Sequence, residues 1–126
     1  MVPVSLRVWF TVHFIVDLFF GLPLMVAPRW MLVVFEMPEG SVLLARIVAA
    51  AFLAIGSVSF LMRNAGVESY RALLNLKIIW SSAAIVGIVW SLLEGAPSRA
   101  WLPLIIFLFF WCLWLFYRRK IGNAAR

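Results

Sequence analysis

The chain has 126 residues, of which 66% are hydrophobic and 13% charged, with a formal net charge of +6 and a mean hydropathy of +1.07. A soluble domain of this size cannot cover so much apolar surface, since average usage is about half apolar and about a quarter charged. The charge does not imply nucleic acid, because membrane proteins gather Lys and Arg in loops and tails for topological reasons, and one cysteine, Cys112, with one histidine, His13, excludes an internal disulfide and a zinc site built from His and Cys alone.

A bilayer crossing takes about 20 apolar residues, so four crossings with short loops nearly exhaust the chain. The first predicted span covers residues 5–26 and is closed by Pro23 and then by Ala27-Pro28. It is longer than a signal-peptide core and contains Asp17, so cleavage after it is not expected. Residues 28–36 hold Trp30-Met31-Leu32-Val33-Val34-Phe35. That segment is too short to cross and is expected to lie along the membrane surface. The second span covers 41–62, with Ser41 as N-cap after Pro38-Glu39-Gly40 and Arg63-Asn64 beyond its end. The third covers 68–93 and is closed by Glu94-Gly95-Ala96-Pro97. The fourth covers 98–117, with Arg118-Arg119-Lys120 marking the interface. The expectation is an all-α, membrane-embedded bundle of four transmembrane helices with short loops, forming a single domain.

Seven basic residues (Arg7, Arg63, Arg71, Arg118, Arg119, Lys120, Arg126) flank one side of these spans and two (Arg29, Arg99) flank the other. The bias places both termini in the cytoplasm, in a bacterial inner-type membrane, and argues against insertion both ways up.

In lipid, helices associate through small residues and a few hydrogen bonds. Ala45/Ala49 and Ala50/Ala54 on the second span, with Ser57, and Ala83/Gly87/Ser91 on the third recur at helical spacing. These two spans are therefore expected at the centre. The fourth span carries Phe107, Phe109, Phe110, Trp111, Trp114 and Phe116 and is expected at the periphery. Phe107, Phe110, Trp111 and Trp114 would face lipid or a partner chain, and Trp101 and Tyr117 would anchor its ends. Cys112, among bulky apolar neighbours, is expected to be inert.

Ionisable groups inside a span are costly, about 2.5–3.5 kcal/mol each on insertion scales, and so mark functional candidates. His13 and Asp17 are four residues apart on one face of the first span, and Lys77 and Ser81 are likewise spaced on the third, with Asn75 nearby. Counted from Arg7 and Arg71, His13 and Lys77 lie about 9 Å deep, and Asp17 and Ser81 about 15 Å deep. If the two helices touch, His13, Asp17, Asn75, Lys77 and Ser81 form one polar cluster. Arg46 leans toward the opposite side, with Glu94 as its candidate ion-pair partner and Glu36, Glu39 or Asp17 as others. A plainer reading stands beside each: an acid–base pair that only sets helix register, a Lys77 that snorkels to the headgroups, and an Asp17 that merely holds the His13 ring.

The stretch from Gly21 to Ser59 contains GLPLMVAPRWMLVVF, a Pro-Glu-Gly turn and LLARIVAAAFLAIGSVS. It resembles the small four-helix integral membrane proteins of bacteria classed as domains of unknown function, over roughly a third of the chain. The resemblance implies a fold and a location, and no catalytic residue. Small multidrug-resistance transporters share size and helix count but carry a membrane-embedded Glu in the first helix, where this chain has His13 and Asp17.

The first functional expectation is a non-catalytic subunit or scaffold of a larger membrane complex, with the bilayer and a protein partner or second copy as its contacts. A small transporter or proton-conducting oligomer using the Asp/His/Lys cluster is the alternative. A lipid- or quinone-modifying enzyme with His13 or Asp17 as acid/base is the third. No catalytic residue, metal or cofactor is assigned, and haem or pigment ligation by His13 is kept as an alternative.

Overall fold

The computed structural model describes residues 1–124; Arg126, counted above, lies outside them. It is all-helical, with no strand among the described residues. Helix α1 is Val4–Val26, α2 is Pro28–Val34, α3 is Val42–Leu61, α4 is Val67–Leu93, and a short 3-10 turn at Ser98–Ala100 leads into α5, Trp101–Ala124. Four helices, α1, α3, α4 and the run Ser98–Asn123, are long and apolar enough to cross a membrane. These are the helices of a membrane protein. They fall into two compact units, Pro3–Asn64 and, with the first two residues, Ala65–Arg126.

The first unit is a hairpin of α1 and α3 with α2 in the connection. Its antiparallel register is read from three levels: a Cβ on Gly21 would meet Leu53, one on Gly56 would meet Asp17, and Arg46 reaches Met25. Phe14 stacks on Phe60 at 4.7 Å between ring centroids. Pro23 does not end α1. It sits inside the helix, and the Ala27 N–H still bonds its carbonyl at 2.8 Å. The break comes at Ala27, because the residue before a proline is pushed out of the helical region. Pro28 then opens α2 at the position where a missing N–H costs nothing. Ser41 caps α3 as its sequence context indicates, its Oγ accepting from the Leu44 N–H at 3.3 Å.

The hairpin ends are closed by two arginines that cross between its helices. Arg46, near the start of α3, donates through Nε to the Met25 carbonyl at the end of α1, 3.2 Å away. Arg7, in the first turn of α1, donates to the Arg63 carbonyl just beyond α3. Arg46 thereby satisfies a carbonyl that the end of α1 leaves without an intrahelical donor, and Arg7 fixes the turn just past α3; both guanidiniums stand at the negative end of a helix dipole.

The second unit is the α4–α5 hairpin, also antiparallel: Ser82 meets Trp111, Lys77 meets Trp114 and Asn75 meets Arg118. α4 ends in a Schellman motif. The Ala96 N–H bonds the Ser91 carbonyl at 2.9 Å and the Gly95 N–H bonds the Leu92 carbonyl at 3.2 Å. Gly95 takes the required left-handed conformation, φ 95°. At the far end, α5 does not stop at Tyr117 but continues through Arg118-Arg119-Lys120 to Ala124. Lys and Arg are good helix formers and their charge suits a helix C-terminus, so a change from apolar to basic side chains ends the membrane span without ending the helix.

The aromatic face of α5 corrects the peripheral expectation. Leu104, Phe110, Trp114, Tyr117 and Ile121 are buried, and Phe110 and Trp114 stack with centroids 5.5 Å apart. Phe107 meets Trp80 edge-on at 6.1 Å. Bulk is no bar to packing when the facing helix offers matching shape, and Trp111 also finds an acceptor there in Ser82 Oγ. Phe109 and Phe116 of the same helix are exposed, at 50% and 58%.

Candidate functional site

The buried polar residues come as one set on each hairpin. On α1, His13 and Asp17 sit one turn apart on the face that also carries buried Leu6, Phe10 and Gly21. Their spacing brings His13 Nδ1 to 3.0 Å from Asp17 Oδ2, and the residues are only 7% and 3% exposed. Oδ2 is nonetheless buried without a hydrogen bond of good geometry among the described residues. The floor under the carboxyl is the α3 backbone at Gly56, where a Cβ would lie 2.8 Å from Asp17 Cβ and 3.0 Å from Oδ2. A carboxyl held against an imidazole in a buried setting is an arrangement able to relay a proton. Among the described residues no three His, Cys, Asp or Glu gather.

On α4, Tyr70, Leu74, Lys77 and Ser81 form one buried stripe. Lys77 is 1% exposed and does not snorkel to the surface; its Nζ lies 5.1 Å over the Trp114 ring. The indole face supplies the electrostatic attraction that a headgroup would otherwise give. Trp111 donates through Nε1 to Ser82 Oγ at 2.9 Å, which sets the α4–α5 register. Asn75, expected with Lys77, is exposed instead and accepts from Arg118 Nε at 2.8 Å. It lies half a turn away from the buried stripe, so depth along the helix did not decide its face.

Arg46 and Glu94 each find a partner within their own hairpin. Arg46 takes the Met25 carbonyl, and Glu94 accepts from Trp90 Nε1 at 2.9 Å. The small residues also divide. Ala45, Ala49 and Gly56 are buried on α3, whereas Ala50 and Ala54 are exposed, as are Ala83, Gly87 and Ser91 on α4. Alanine stripes lie on two faces of α3, and only one can meet α1. A Cβ on Gly87 would meet nothing within 4 Å. Sequence spacing alone passed over Gly56, Tyr70 and Ser82; the 70, 74, 77, 81 progression, alternating steps of four and three, is the signal that marks the packed face of α4.

No protein-family model matches the chain, and no curated protein or solved structure matches it significantly.

Proposed function

We propose that this is a non-catalytic subunit or scaffold of a membrane complex, in a bacterial inner-type membrane with both termini cytoplasmic. The observation that supports it is the exposed stripe Ala83, Gly87, Ser91 on α4. Small residues every fourth position let a second helix backbone approach closely, which is how helices associate where lipid removes the hydrophobic driving force. The stripe is also ready for contact: Ser91 Oγ already donates to the Gly87 carbonyl at 2.8 Å, so covering it strands no polar group.

The test is cysteine cross-linking in native membranes from positions 83, 87 and 91, in a background with Cys112 replaced, followed by native mass spectrometry in gentle detergent. The reading expects one stoichiometric adduct from these positions, either a second copy or a distinct membrane protein identified by mass. A monomeric particle without adducts would sink it.

A second reading, a proton-coupled transporter or proton-conducting oligomer, is favoured by one observation: Asp17 Oδ2 is buried beside His13 Nδ1 without a good hydrogen bond. Reconstituted liposomes with a pH-sensitive dye inside test it. Proton flux that disappears in Asp17→Asn supports the reading, and flux equal to that of empty liposomes removes it.

A further inference from the structure

The end of the second hairpin where α4 begins and α5 finishes carries a concentration of cations that the subunit reading does not use. Arg118, Arg119 and Lys120 are consecutive on α5, and Arg71 stands one turn before Asn75 on α4. Among the described residues one acidic side chain is engaged by them: Glu68 Oε1 accepts from Arg71 Nη1 at 2.6 Å.

Arg118 is held in a defined pose. Its Nε donates to Asn75 Oδ1 at 2.8 Å, and its Nη1 lies 3.5 Å from where a Cβ on Gly122 would stand. The guanidinium therefore runs toward the C-terminal end of α5, out of the apolar span, with Nε occupied by an uncharged partner and no carboxylate paired with it among the described residues. An amide anchor of this kind orients a guanidinium without neutralising it, which a carboxylate could not do. Arg119 and Lys120 are exposed, and Lys120 rests over the Phe116 ring, 5.9 Å from its centroid. An ammonium lying over an exposed aromatic ring suits the boundary between acyl chains and headgroups. The helix C-terminus itself opposes an anion by about half a charge. The cations outweigh it.

We propose that Arg71, Arg118, Arg119 and Lys120 form a cationic collar around this end of the hairpin that binds the headgroups of anionic phospholipids, with Arg118, oriented by Asn75, as the contact that grips a phosphate. The occupant is a lipid and not a free anion, because the cations sit directly beyond a membrane-length apolar helix and an exposed Phe116 adjoins Lys120. This site is separate from the Ala83, Gly87, Ser91 stripe and does not depend on the subunit reading.

The experiment uses the full chain in a neutral detergent, titrated with phosphatidylglycerol or phosphatidylcholine in mixed micelles. Melting temperature and lipid retained in native mass spectrometry are both read. Phosphatidylglycerol is expected to raise the melting temperature and to remain bound, and phosphatidylcholine to do neither. Arg119→Gln with Lys120→Gln, at exposed positions that leave the fold intact, should weaken apparent affinity by about fivefold per cation removed. Asn75→Leu should weaken retention although every cation remains, which separates an oriented site from mere net charge. Arg29→Gln with Arg99→Gln, an equal charge change elsewhere, should leave retention unaltered. Equal binding of the two lipids, equal loss in the two double variants, unaltered retention in Asn75→Leu, or displacement of the lipid by millimolar inorganic phosphate would each overturn the proposal.

Discussion

Gly56 presses its backbone against the side chain of Asp17, with the position of a Cβ at residue 56 falling 2.8 Å from Asp17 Cβ. The closest atom is the first carbon of the side chain and not the flexible carboxylate, so no rotamer change can relieve the clash. In a hairpin held by close backbone approach, this contact sets how near α1 and α3 can lie.

Gly56→Ala is therefore expected to destabilise the first hairpin by about 1–3 kcal/mol, the usual cost of overpacking a tight site. Thermal unfolding in detergent reads it. The cost should persist in an Asp17→Ala background, because alanine keeps the offending Cβ. Full rescue by Asp17→Ala would show that the carboxylate, and not the helix spacing, is the source of strain.

The crossed arginines give a second expectation. Arg46→Leu leaves the Met25 carbonyl, and Arg7→Leu the Arg63 carbonyl, without the guanidinium that each now has. Each is expected to cost about 1 kcal/mol, a hydrogen bond from a charged donor discounted for partial exposure. The two contacts are at opposite ends of the hairpin, so the double variant should show the sum of the single losses. A marked departure from additivity, measured by denaturant unfolding, would mean that one replacement disturbs the whole hairpin.

Gly95 is open on all sides, with no atom within 4 Å of a Cβ built there, yet its φ of +95° is unfavourable for any side chain. Gly95→Ala should lower stability by about 1 kcal/mol through backbone conformation alone. Gly87→Ala is the matched control, since it also meets nothing within 4 Å and lies inside α4, where alanine is the better helix former by about 1 kcal/mol. The two substitutions are expected to move the melting temperature in opposite directions.

Much of this architecture is legible in the sequence. Runs of apolar residues broken by Ala27-Pro28, Pro38-Glu39-Gly40, Arg63-Asn64 and Gly95-Ala96-Pro97 mark the four long helices, because Pro, Gly and charged residues act locally and need no tertiary context. The Ser41 cap and the His13–Asp17 pairing are equally local. Which face of a membrane helix packs is not local. α5 is apolar all round, so no periodicity separates Phe110 and Trp114, which are buried, from Phe109 and Phe116, which are exposed. Small residues misled on α4 for a related reason. Ala83, Gly87 and Ser91 allow a close neighbour but do not summon one from the same chain. The buried stripe instead carries the bulk and polarity of Tyr70, Leu74, Lys77 and Ser81. The end of α5 was hidden because a change of solvent, from lipid to headgroup, looks in sequence like the end of a helix.

Lys77 and Trp114 supply the last expectation. Lys77 is 1% exposed, Trp114 is fully buried, and the ammonium lies 5.1 Å over the ring. For a desolvated cation such a contact contributes about 2 kcal/mol, and an indole gives more than a phenyl ring. Trp114→Leu should thus lose both ring electrostatics and packing, whereas Trp114→Phe should lose less, retaining a weaker π-face. The two contributions separate in a Lys77→Met background. There the cation is gone, methionine fills much of the same volume, and Trp114→Leu should cost only its packing. The difference between the two costs of Trp114→Leu, with and without the ammonium, is the coupling energy, expected at about 1–2 kcal/mol. A coupling near zero would mean that the ring is a spacer in the hairpin and that Lys77 is stabilised by other groups. A coupling of the expected size would make Trp114 the reason a lysine is tolerated inside a membrane-spanning helix.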